Sequence, residues 1–166
     1  MTTRKLASFL AVIVQELSAD DWTVWRSVRL AALADAPDAF GSTLADWSEA
    51  DEGRWRARLD DVPFNVVAIV DQRAVGQASG THRDESHAIE LISMWVAPTH
   101  RGAAVADALL GAVIDHARLV GARAVKLSVR AVNERAKRLY ARWGFEETDE
   151  PSDEPSFEVM RLGLGG

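Results

Sequence analysis

Apolar and polar positions follow two periods along this chain, and the switches between them mark its elements. Residues 9–17 carry a β-type run. Ser18 and Asp20 can cap a helix over about 20–36, with Trp25, Val28 and Ala32 on its apolar stripe. Pro37, Gly41 and Ser42 break that pattern. A second amphipathic helix, over roughly 44–60, carries Trp47, Trp55 and Leu59, and Pro63 ends it. Two apolar runs, 65–70 and 74–81, flank Asp71-Gln72-Arg73, which is a hairpin signal. A central strand through Leu91, Ile92, Met94, Trp95 and Val96 stops at Pro98. Val105, Leu109, Val113, Ile114 and Ala117 then recur at helical spacing up to a C-cap at Gly121. Residues 124–130 alternate with period two, Asn133 opens a last helix that Gly144 closes, and 145–148 and 157–162 form two final strands. The order β-α-α-β-β-β-α-β-α-β-β predicts an α/β fold, a mixed sheet with helices on both faces.

Composition narrows the class. A chain of 166 residues, 48% hydrophobic and 27% charged, suits one domain spanning 1–166 with a real core. Cysteine is absent, which excludes disulfides and thiolate chemistry and fits a cytoplasmic protein. The net charge of −6 argues against a nucleic-acid surface. Arg4-Lys5 before the apolar residues 6–14 imitates a signal peptide, but the run is short and passes directly into Gln15-Glu16, so a first strand is expected instead. No segment is long enough to span a bilayer. Histidines 82, 87, 100 and 116 lack ligand spacing, and no metal is expected.

The stretch 90–122 concentrates the chemistry. A strand, a turn of small residues (Arg101, Gly102, Ala103, Ala104, Val105, Ala106) and a helix bring free backbone N–H groups and a helix dipole to one point. Such a point suits a phosphate, and Arg101 would add a mobile positive charge. It is neither a dinucleotide fingerprint nor a P-loop. The turn resembles motif A of the GNAT superfamily of N-acetyltransferases, Arg/Gln-x-x-Gly-x-Gly/Ala, with Ala104 in place of the middle glycine. An ordinary βα turn of helix-favouring alanines is the other reading of these residues. Residues 129–145 (VRAVNERAKRLYARWGF) are similar to a second GNAT motif, N-x-x-A-x-x-x-Y-x-x-x-G-F, at every named position: Asn133, Ala136, Tyr140, Gly144 and Phe145. Asn133 and Tyr140 lie almost two turns apart on one side of the helix. Without the resemblance, this stretch reads equally as a capped helix with a core tyrosine.

The resemblance implies the GNAT fold: a mostly antiparallel sheet of six to seven strands flanked by about four helices. It also implies acetyl-CoA as co-substrate and direct acetyl transfer to a primary amine of a small molecule or peptide. On that reading the backbone of Met94, Trp95 and Val96 holds the pantetheine, residues 101–106 hold the pyrophosphate, and Asn133 contacts the cofactor. Tyr140 protonates the departing thiolate. Glu90, on the strand side that simple alternation shares with Ile92, Met94 and Val96, is the candidate base; an exposed or ion-paired Glu90 is the alternative. Residues 22–47 resemble a bacterial subgroup with R-L-x-A-L…A-F-G-S-T, so Phe40, Gly41 and Ser42 are candidates for lining the acceptor pocket. Trp22, Trp25, Trp47 and Trp55 are expected in the core or pocket wall. Many relatives pair as homodimers, an arrangement the sequence leaves open. A non-catalytic acyl-CoA sensor on the same fold is the rival function.

Overall fold

The computed structural model describes residues 11–165. Seven strands form one sheet in the order β1-β2-β3-β4-β5-β7-β6, made of β1 (Ile13–Glu16), β2 (Phe64–Val70), β3 (Arg73–Gly80), β4 (Ala88–Val96), β5 (Ala124–Arg130), β6 (Glu146–Glu147) and β7 (Phe157–Gly163). Only β4 and β5 run parallel; every other neighbour pair is antiparallel. Among the described residues, five α-helices accompany the sheet: α1 (Trp22–Asp35), α2 (Leu44–Ser48), α3 (Glu52–Asp61), α4 (Ala103–Leu119) and α5 (Glu134–Arg142). No helix among the described residues is long and apolar enough to cross a membrane.

Alternation along β2 divides the core between two faces. Val66, Ala68 and Val70 join the cluster built on Leu109, Leu110, Val113 and Ile114 of α4. Val67, between them, joins the cluster of Trp25, Val28 and Ala32 from α1 with Trp55 and Leu59 from α3. The sheet is therefore covered on both sides, as the element order predicts. Gly76 of β3 lies so close to α4 and β4 that a Cβ would sit 2.9 Å from both a Leu109 methyl and the Trp95 carbonyl.

Three local predictions need correction. The helix expected over 44–60 is two helices, because two side chains start helices within it. Thr43 Oγ1 accepts from the Asp46 amide at 3.2 Å, and Asp51 Oδ1 accepts from the Arg54 amide at 2.9 Å. The hairpin turns on Asp71 and Gln72 alone, both at positive φ (49° and 64°), and Arg73 already belongs to β3. The third correction concerns β4. Gln77 faces Trp95 but Ser79 faces Ile92, so β4 holds one extra residue, and Ser93 there has φ 58°. The bulge reverses the alternation: Leu91 and Met94 share the α4 face, whereas Trp95 packs with α1 and α3. Glu90 thus lies on the opposite side of β4 from Met94 and Val96. Residues 9 and 10 of the expected first strand lie outside the described residues.

Candidate active site

The sheet opens where its two parallel strands part. β4 and β5 pair only from Ala88–Ala124 to Glu90–Lys126, although β4 continues to Val96 and β5 to Arg130. Beyond Glu90 the β5-facing edge of β4 has no strand partner. α4 and α5 both begin at the open end, since each follows one of the diverging strands. A strand edge with unpaired amide groups thus faces two helix N-termini.

A cavity of about 750 Å³ lies at the mouth of this wedge, where the end of β4 faces α5, lined by Met94, Trp95, Val96, Arg101, Gly102 and Ala106 on one side and by Asn133 and Tyr140 on the other. Gly102 precedes α4 with φ 153°, a conformation that favours glycine, and a Cβ there would meet nothing within 4 Å. Ala104 lies in the first turn of α4 and is not among the residues at positive φ, so its replacement of the motif glycine brings no strain. Val105 is buried in the core and lines neither cavity. Asn133 caps α5, its Oδ1 accepting from the Ala136 amide at 3.1 Å.

Arg101 is not the mobile cation expected from the sequence. Its guanidinium is paired with Asp35 at the end of α1, and its Nε donates to the Val96 carbonyl at 3.2 Å. Asp35 also accepts from Trp95 Nε1 at 2.9 Å; that bond first, and Arg101 second, hold its carboxyl below the usual range. The pairing ties α1 to the start of α4. Positive charge in the wedge comes instead from α5, where Arg135, Arg138 and Arg142 line the same cavity. Arg142 is paired with Asp107 at 2.5 Å, while Arg135 and Arg138 are exposed and form no ion pair among the described residues. Their spacing of three and four is a visible helical stripe, hidden in the sequence by an acidic total.

A second cavity, of about 580 Å³, adjoins the first and shares Phe40, Met94, Asn133, Ala136 and Tyr140 with it. Glu90, Phe40, Gly41 and Ser42 all line it. Tyr140 is 7% exposed, its ring meets Phe145 edge-on, and its hydroxyl makes no hydrogen bond to the described residues. Burial pushes the phenol up to about 12. Glu90 is half-buried and its carboxyl is raised above the ordinary value, chiefly by burial, with Asp153 and Asp84 adding to the rise and Lys126 opposing it. Lys126 is drawn away toward Asp84, 2.7 Å from it. A retained phenolic proton and a carboxylate ready to take one therefore line one cavity.

The sequence model of the acetyltransferase (GNAT) family matches residues 22–145. The chain belongs to this family. Among its relatives, the mycothiol acetyltransferase of Brachybacterium faecium is 32% identical over 133 residues, covering 76% of this chain and 38% of its own length. The mouse N-acetylaspartate synthetase is 35% identical over 98 residues, 59% of this chain and 32% of its own. The chain thus spans well under half the length of these curated relatives. In structure it resembles the PaiA N-acetyltransferase of Thermoplasma acidophilum in complex with coenzyme A, with a TM-score of 0.74 and 15% identity over 93% of this chain and 100% of that one. That likeness shows the GNAT fold. Of the GNAT motifs, the turn 101–106 borders the first cavity through Arg101, Gly102 and Ala106, and Asn133, Ala136 and Tyr140 border both. Sequence reasoning missed Asp35, the α5 arginines, and Arg29 and Arg58 in the second cavity.

Proposed function

We propose that this GNAT chain moves an acetyl group from acetyl-CoA to a primary amine by direct attack in a ternary complex. The single observation that carries the reading is Tyr140, whose ring borders both cavities at once. The wedge suits the carrier because its groups match an extended polyanion: an unpaired β4 edge, two helix starts, and the exposed Arg135 and Arg138. Residues 101–106 and Asn133 would hold it, and backbone amides of Met94 to Val96 would polarise its carbonyl. When bound, acetyl-CoA supplies an acetyl group already activated as a thioester.

The chain's own residues manage two protons. Glu90 takes one from the incoming ammonium, directly or through water, which frees the nitrogen lone pair for attack. The Tyr140 Oη would supply the other to the sulfur as the C–S bond breaks, and the phenol would be restored through solvent by the second proton that the nitrogen sheds as the C–N bond forms and it becomes an amide. Phe40, Gly41 and Ser42 form part of the acceptor wall. The test is acetyl-CoA-dependent thiol release against a mixed panel of small and peptide amines, with the acetylated product identified by mass. Turnover with at least one amine is expected. Tight CoA binding with no turnover on any amine would favour the non-catalytic sensor.

A further inference from the structure

The second cavity holds an unusual set of unsatisfied groups. Arg29 of α1 is 8% exposed, and its Nη1 is buried without a hydrogen-bond partner. Trp25 Nε1 and Trp55 Nε1 are buried and unpartnered as well. All three residues line this cavity, and all three orphaned atoms are donors. The two indole nitrogens are closed off from the cavity by burial, but Arg29 lines it and makes no hydrogen bond or ion pair to the described residues, so its guanidinium points to a missing acceptor. Phe40 covers one face of the Arg29 guanidinium, with its ring centre 4.6 Å from the central carbon, and leaves the edge of the fork as its bonding side.

A second arginine stands beside the first. Arg58 of α3 donates to Asn65 Oδ1 at 2.9 Å, to Ser79 Oγ at 3.2 Å and to Ser93 Oγ at 3.3 Å, and its guanidinium lies 5.0 Å from the Trp25 ring centre. These partners are neutral and fix the group in place. Neither Arg29 nor Arg58 forms an ion pair with a carboxylate of the described residues. Burial pulls both guanidinia down to about 10, and Arg58 contributes to the fall at Arg29; both stay charged near neutrality. Arg29 is buried and Arg58 half-buried, with Asp61 acting on Arg58 only from a distance, so a ligand that supplies a counter-ion between them would offset a desolvation cost.

We infer that Arg29 and Arg58 seat the carboxylate of a small amino-acid-type acceptor, whose amine then lies toward Glu90. The spacing agrees. Ser93, which Arg58 touches, is three residues along β4 from Glu90, roughly 10 Å of extended strand, less the bulge. Arg58 already reaches Ser93, so the Glu90 side chain closes part of that distance and a small molecule carrying both a carboxylate and an amine spans the rest. A cavity of about 580 Å³ suits such a molecule. The amine half of this assignment rests on the acetyl-transfer reading; the carboxylate seat stands on Arg29 and Arg58, which line the cavity without an ion pair among the described residues.

Calorimetry on the full chain with CoA present tests it, using L-amino acids with acidic, apolar and basic side chains, each against its own carboxamide. At least one acid should bind, and its carboxamide should bind more weakly by on the order of tenfold or more. Arg29→Met should erase that preference, and Arg29→Lys should keep part of it. Carboxamides that bind as well as the acids, or no binding by any acid, would overturn the seat. Should Arg29→Met fail to fold, the acid–amide comparison on the unaltered chain still decides. Binding of an acid without thiol release would uphold the seat and contradict acetyl transfer, so the two failures are distinct.

Discussion

Tyr140 owes its proposed role to where it sits. A phenol pushed up to about 12 by burial keeps its proton across the whole neutral range, while Glu90, raised by the same cause, holds its proton to a higher pH than an ordinary glutamate. The acid must be protonated and the base deprotonated, so kcat/KM is expected to climb as pH rises through the elevated Glu90 value. It should not fall again from Tyr140 until strongly alkaline pH. A pH–rate profile checks this, and Glu90→Gln should remove the enzyme's share of the climb, leaving that of the amine. Tyr140→Phe should lower kcat about a hundredfold while leaving CoA affinity by calorimetry unchanged. Tyr140 is singled out in the sequence by motif spacing, whereas Glu90 is named from its place on the central strand, by an alternation that the bulge at Ser93 reverses. Arg58 offers no such mark, and Arg29, although it opens the R-L-x-A-L pattern, carries no role there: an arginine on an amphipathic helix reads as solvated, and only the packing of α1 and α3 against the sheet covers it. Asp35 was equally hidden, since it meets Arg101 across 66 positions of sequence.

At the scale of elements, the start of α4 separates two glycine requirements that the motif pattern merges. Gly102 has φ 153° and Ala104 is helical, so Gly102→Ala should cost about 1–3 kcal/mol of stability. Ala104→Gly should cost about 1 kcal/mol at most and bring no gain in CoA affinity. Denaturant melts of the two variants make the comparison. On α5, Arg138→Glu should weaken CoA binding roughly three- to tenfold at low salt, and the difference should shrink as salt rises, because the group is exposed and unpaired. Strand and helix types were readable almost throughout, because their periods are strong. Boundaries failed where a single side chain decides them: Asp51 restarts a helix inside a continuous amphipathic pattern, and the extra residue at Ser93 reverses a strand whose residue types alternate normally. Neither leaves a mark on hydrophobic periodicity.

Across the whole molecule, the wedge divides the sheet into β1–β4 and β5–β7, joined in register at only three residue pairs. A ligand filling it bridges both halves. At a hundredfold its Kd, CoA should stabilise the chain by about 2.7 kcal/mol, seen as a rise in Tm of several degrees. The element order was enough to foresee a mixed sheet, yet the length of the β4–β5 pairing is a tertiary property that no local pattern encodes. The net charge of −6 likewise conceals a basic wall on one side of the wedge and a pair of arginines in the neighbouring cavity. The most direct test of the account is a crystal structure of the chain with CoA. The account predicts the carrier running between β4 and β5 past the start of α4, with its sulfur within about 3 Å of the Tyr140 hydroxyl. A carrier bound elsewhere, or a sulfur far from that hydroxyl, would contradict it.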